Sequence, residues 1–220
     1  MKVNSGIPGL DELIGGGFEE GSVNLVSGKT GTGKSIFCAQ FLHNGAVNNN
    51  EKGLYLTTGE TINNIKKQSK NFEWDFEALE KKGVIKLMEI EPFDIETLIE
   101  RITENIEAAK AKRVVIDSVS MFELYMHEPF KIRKSLYKVL QRLRDMGKTV
   151  LVVAEVLEDS KSLSRFGVIE FMVDSVILLQ YLGIAKYKRS LLIRKMRMTD
   201  HSTDIHPFEI TPKGITIRSV

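Results

Sequence analysis

Gly28-Lys29-Thr30-Gly31-Thr32-Gly33-Lys34-Ser35 fits the pattern G-x-x-x-x-G-K-[ST], and its reading decides the rest of the chain. It follows a β-branched apolar run at 23–27 and opens a segment at 34–47 that reads as a helix. Strand, glycine turn and helix in that order make a phosphate site. The turn aims successive backbone N–H groups at one point, in front of the positive end of the helix dipole. Gly28, Thr30, Gly31, Thr32 and Gly33 form the predicted cradle, with Lys34 as a point charge on the phosphates and Ile36 following on the helix. Ser35 offers a hydroxyl to Mg²⁺, a cation that keeps most of its waters and needs few protein ligands.

Outward from this loop, short apolar runs alternate with amphipathic ones. Strands are predicted at 54–57, 84–90, 114–117 and 149–154, and a polar helix from about Thr61. Ile95, Leu98, Ile99, Ile102 and Ile106 repeat at three and four residues after an expected Asp94 cap. Ile132, Leu136, Val139, Leu140, Leu143 and Met146 do the same, and Gly147 ends that helix. From 173 onward the pattern changes to successive strands at 173–182, 188–197, 206–210 and 215–218, with Pro212-Lys213-Gly214 as a turn. The expected class is α/β: a mainly parallel sheet flanked by helices, with an antiparallel C-terminal extension. The 220 residues carry no linker and read as one domain over 1–220, against ~150 residues for an average domain.

Composition narrows the partners. At 42% hydrophobic and 27% charged the chain is globular, and 31 Lys+Arg against 29 Asp+Glu give a net charge of +2, without the excess that marks nucleic-acid binders. No apolar run approaches the ~20 residues of a membrane span, and the lone Cys38 reads as a small buried hydrophobe. With no apolar leader near Met1, the expected location is the cytoplasm.

A Mg²⁺-nucleotide site also needs a carboxylate at the end of a neighbouring buried strand, and Asp117 after Val114-Val115-Ile116 supplies it. Glu155 ends a further strand and either positions water or simply closes that strand. His43, His127 and His206 stand apart from any metal-binding spacing, and Phe72, Trp74 and Phe76 read as core, with adenine contact as the other reading.

Taken together, Ser5-Gly6-Ile7-Pro8-Gly9-Leu10-Asp11-Glu12-Leu13-Ile14-Gly15-Gly16-Gly17-Phe18 before the loop, Arg113 to Ser118, and Val173-Asp174-Ser175-Val176-Ile177-Leu178-Leu179-Gln180 resemble the KaiC branch of the RecA-like ATPases. Lys195-Met196-Arg197, then Thr199, His201 and Pro207-Phe208, extend the resemblance over nearly the whole chain, as do Phe72 and Trp74. It implies ATP and Mg²⁺ bound between subunits of a homo-oligomer, typically a hexameric ring. Lys195 and Arg197 would reach the γ-phosphate of the neighbour's nucleotide, with Thr199, His201 and the Met196 backbone contacting it as well. Two apart on a strand, Lys195 and Arg197 share a face.

Two departures qualify this. The family's Glu-Glu pair after the second strand is Gly59-Glu60 here, so the expected general base is a glycine. Glu60 is the candidate catalytic base, although strand alternation aims it to the other side unless the loop turns it. Slow hydrolysis at best is expected. In two-domain clock members the autophosphorylated Ser-Thr pair falls where this chain has Glu170 and Phe171, so no clock-type autokinase activity is expected.

The resulting expectation is a regulatory ATP-binding protein whose Mg-ATP state controls assembly and partner choice. The alternative resembles RadA paralogues that bind single-stranded DNA through loops 119–130 and 156–168. The second carries Lys161, Arg165 and Phe166 but also Glu158 and Asp159, and the first has Glu123 and Glu128 among Met121, Phe122, Tyr125 and Met126.

Overall fold

In the computed structural model, residues 1–91, 95–121, 128–160, 162–165, 167–182 and 188–218 are described. A short antiparallel pair, β1 (Lys2–Val3) with β2 (Phe18–Glu19), brackets α1 (Leu10–Leu13). Next come β3 (Val23–Gly28), α2 (Lys34–Asn49), β4 (Gly53–Thr57), α3 (Ile62–Lys70), α4 (Phe76–Lys81), β5 (Ile85–Glu89), α5 (Ile95–Ala109) and β6 (Arg113–Asp117). After a 3₁₀ turn at Val119–Met121 follow α6 (Pro129–Asp145), β7 (Thr149–Glu155), α7 (Ile169–Met172) and β8 (Ser175–Tyr181). The chain closes with β9 (Arg189–Met196), β10 (Ile205–Thr211) and β11 (Gly214–Ile217).

One sheet runs β11-β10-β9-β8-β3-β7-β6-β4-β5. From β8 to β5 all pairings are parallel, and β9, β10 and β11 extend it antiparallel, as expected. The order corrects one expectation. The strand ending in Asp117 does not neighbour the loop strand, because β7 lies between β6 and β3.

Strand alternation sorts the core into two layers. Val114 and Ile116 pack with Leu98, Ile102, Leu136 and Leu140 of α5 and α6. Val115, between them, faces Phe37, Phe41 and Tyr55 on the α2 side. Each fully buried side chain of this size contributes ~1.5–3 kcal/mol. Trp74 and Phe76 are buried in the α2 layer, and the half-buried Phe72 stacks on Trp74 with centroids 4.8 Å apart.

Local signals explain most boundaries. The Thr61 hydroxyl accepts from the Asn64 N–H to start α3, and the Asp75 carboxylate accepts from Ala78 N–H to start α4. The expected Asp94 cap lies outside the described residues. No helix among the described residues is long and apolar enough to cross a membrane.

Candidate nucleotide site

One tight turn at Thr30-Gly31, flanked by bends, builds the loop after β3. Gly31 and Gly33 take φ of 75° and 106°, in the left-handed region that favours glycine. A Cβ on Gly31 would lie 2.6 Å from the Tyr181 hydroxyl, and one on Gly33 would press on Ile210 at 3.2 Å. Thr32 is buried and its hydroxyl donates to the Lys29 carbonyl at 2.8 Å, which pins the turn. Thr30 is exposed at the crown, whereas Ser35 and Ile36 are half-buried on the first turn of α2.

Lys34 is buried with its Nζ donating to Lys29 O at 2.8 Å. Burial pushes its pKa below the ordinary lysine value, against the pull of Glu155 and Asp117. Those carboxylates flank the loop from β7 and β6. Glu155 is exposed, pairs in register with Gly28, and has its N–H bound to Ser120 Oγ at 2.9 Å.

Asp117 closes β6 with its Oδ2 accepting from the Tyr55 hydroxyl at 2.6 Å. Burial first, and then the Asp117 charge, push the Tyr55 phenol well above its ordinary pKa. Ser35, Tyr55 and Glu60 line a small cavity of about 20 Å³ together with Gln68 and Phe72. The loop after β4 turns Glu60 into this region: Thr57 Oγ1 bonds the Glu60 backbone at 2.9 Å and 3.1 Å, and Gln68 donates to Glu60 Oε1. Burial, then Asp117, raise the Glu60 carboxyl pKa. Gly59 is exposed, and a Cβ there would meet nothing within 4 Å.

The structure adds Arg189 and Tyr181 to the surroundings of the loop. Across the β8–β9 pair, the Arg189 guanidinium donates to Gly31 O at 3.4 Å and 3.2 Å and lies 5.3 Å from the Tyr181 ring centroid. Arg189 sits in a crowded basic stretch, so no local pattern singles it out.

Lys195 and Arg197 lie elsewhere. Arg197 N–H bonds Asp174 O, and Asp174 N–H bonds Val23 O, so the pair stands at the start of β3. Five residue steps separate Val23 from Gly28, roughly 17 Å of strand. Lys195 Nζ donates to Glu170 O and Val173 O at 3.0 Å and 2.7 Å, and Arg197 reaches Phe171 O and Asp174 at 3.4 Å and 3.5 Å. Burial lowers the Lys195 pKa, and Arg197 adds to the effect. Thr199 takes a 2.5 Å hydrogen bond from Lys2, and His201 Nδ1 lies 3.0 Å from Ser202 O; Met196 ends β9. These residues are therefore not gathered at their own chain's loop.

Of the remaining candidates, some lie outside the described residues. Cys38 is fully buried, and burial pushes its thiol pKa well up. His43 stacks on Trp74 with centroids 5.4 Å apart, and His206 Nε2 lies 2.7 Å from Ser202 Oγ. Glu170 is buried against the Ser164 hydroxyl at 2.5 Å, beside an exposed Phe171. Residues 122–127, Lys161 and Phe166 lie outside the described residues, which takes in His127 and most of the DNA-loop candidates.

Among known proteins, a crystallised KaiC-like protein of Pyrococcus horikoshii superposes with a TM-score of 0.92 at 41% identity, covering 100% of this chain and 99% of that one. The circadian clock oscillator protein KaiC of Synechococcus elongatus is 36% identical over 228 residues, 98% of this chain but 44% of the relative. The chain thus spans less than half the length of that clock protein. A UPF0273 protein of Methanocaldococcus jannaschii is 34% identical, over 98% of this chain and 96% of its own length. The family model described as "ATPase: KaiC" matches residues 3–219. The phosphate-loop geometry, the parallel sheet with its antiparallel extension and these matches agree, and the chain belongs to the KaiC family of ATPases.

Proposed function

We propose that this protein binds Mg-ATP in the loop between β3 and α2 and uses the nucleotide state to control its own assembly and partner binding in the cytoplasm, with slow hydrolysis. One observation carries the assembly part. The loop lies at one end of β3, while Lys195 and Arg197 lie at the other, roughly 17 Å along the strand, so any nucleotide they serve is one held by another copy. Head-to-tail contact closes into a ring where its rotation allows, and the kinship with KaiC makes six copies the expected number.

The donor set suits Mg²⁺. Ser35 gives a neutral hydroxyl and Asp117 one carboxylate, and among the described residues no three His, Cys, Asp or Glu gather to hold a metal by themselves. That is the pattern of a cation shared with phosphates and water. When bound, it would neutralise phosphate charge. The backbone N–H groups at 28–36 and Lys34 orient the phosphates, and Glu60, with its raised pKa, is the group available to take a proton from water. Gly59 offers no such group, which supports slow turnover. Glu170 and Phe171, where clock members carry their phosphorylated pair, support the absence of clock-type autokinase activity.

The test follows phosphate release and molecular mass together in purified protein with Mg-ATP. Assembly on ATP with slow turnover is expected. No change of mass and no phosphate release on adding ATP overturns the reading, and steeply salt-dependent single-stranded DNA binding would replace it with a recombination accessory.

A further inference from the structure

Tyr55 sits in the middle of β4, level with Val115 of the adjacent β6, and 2% exposed. Asp117 is two residues beyond Val115, on the same face of the sheet, about 7 Å farther along the strand. The tyrosine ring bridges that offset, and its hydroxyl donates to Asp117 Oδ2 at 2.6 Å. Phenylalanine would fill the same volume without the hydroxyl. The hydroxyl instead brings a buried polar atom that requires a partner, and the partner is one oxygen of the carboxylate assigned to the metal. Oδ1 of Asp117 takes no side-chain hydrogen bond among the described residues. Ser35, the other proposed metal ligand, lines the same small cavity as Tyr55.

We propose that Tyr55 is a positioning residue for the divalent cation: its O–H holds Asp117 in one rotamer by Oδ2 and leaves Oδ1 for the metal or its water. The inference rests on the Mg-nucleotide reading above. Groups that orient a metal ligand from behind are worth about 10–100-fold in metal affinity.

The test compares wild type with Tyr55→Phe, using a fluorescent ADP analogue in EDTA and then across a Mg²⁺ titration. The expected result is metal-free nucleotide affinity within about twofold of wild type and a half-saturating Mg²⁺ concentration raised about tenfold. A purely structural role lowers the melting temperature but leaves the Mg²⁺ dependence unchanged, and that result overturns the proposal. If Tyr55→Phe does not fold, Tyr55→Met removes the same donor at similar volume, with the same two outcomes. Wild type that binds no nucleotide even with Mg²⁺ removes the parent reading, and this one with it, and is told apart because it needs no variant.

Discussion

Lys34 Nζ and the carbonyl oxygen of Lys29 are 2.8 Å apart, so the cation of the glycine loop is tied across the loop that carries it. The ammonium is held buried, and its pKa is pushed below the ordinary 10.5. A buried charge of this kind costs stability, which on the proposed function is the cost of binding phosphate.

Lys34→Met is therefore expected to abolish Mg-ATP affinity while raising the melting temperature of the nucleotide-free protein by about 2 °C. The pH dependence has a defined sign. Below the lowered folded pKa both states are protonated and the penalty is complete; between that pKa and 10.5 the unfolded chain binds more protons, so stability rises with pH. Urea unfolding at several alkaline pH values checks it. The wild-type minus Lys34→Met difference in stability is what should rise with pH, because Cys38 and Tyr55, whose pKa values are raised, lower both curves and Lys195, whose pKa is lowered, lifts both. A Lys34→Met protein less stable at neutral pH would count against the burial argument.

The missing carboxylate at Gly59 can be restored. Gly59 does not take a left-handed φ, and a Cβ there meets nothing within 4 Å, so Gly59→Glu should fold with a stability change within about 0.5 kcal/mol. Phosphate release by Gly59→Glu is expected to rise about tenfold or more. Glu60→Gln should lower it by ~10²-fold, the usual worth of a general base, at unchanged nucleotide affinity. Equal turnover in wild type and Glu60→Gln would remove Glu60 from the chemistry.

The loop and the strands were legible because their signals are local. Gly28 to Ser35 names its own conformation, and the runs of Val, Ile and Leu at 23–27, 114–117 and 149–154 fall within a residue or two of β3, β6 and β7. What stayed hidden depends on tertiary placement. Nothing near Asp117 in sequence says that β7 lies between its strand and the loop strand, that Tyr55 donates to it, or that Arg189 closes on Gly31. The short β1–β2 pair, α1 and α7 were likewise missed, since two to four residues carry no measurable periodicity.

Lys195 and Arg197 should act only across an interface. Arg197→Ala is expected to lower turnover by ~10³-fold, the lower end for a cation delivered in trans, without loss of nucleotide affinity in the isolated chain. Mixing Arg197→Ala with Lys34→Ala protomers pairs an intact loop with an intact cation at some interfaces. Recovered phosphate release on mixing supports the arrangement, and additive silence of the two inactive proteins, at a mass that proves they co-assemble, rejects it.

Gly45 and Arg113 set the last test, on the helix that bears the loop. Arg113 is buried at 1% exposure. It pairs with Glu51 at 2.6 Å, donates to Phe41 O at 3.0 Å, and lies 4.6 Å over the Phe41 ring. A Cβ on Gly45 would overlap its Nε, Cδ and Cζ atoms. In an ordinary helix interior, Gly→Ala stabilises by ~1 kcal/mol. Here the guanidinium cannot retreat without giving up Glu51 and the Phe41 carbonyl, so Gly45→Ala should instead destabilise by about 1–3 kcal/mol. Arg113→Met should cost about 1–3 kcal/mol by leaving the Phe41 carbonyl and the half-buried Glu51 without their donor. In that background Gly45→Ala should cost less, because the Nε and Cζ overlaps are gone and the flexible Met side chain can swing its sulfur aside. Urea unfolding of the four proteins gives the coupling energy directly. A stabilising Gly45→Ala in the wild-type chain would mean that the glycine is not there to admit Arg113.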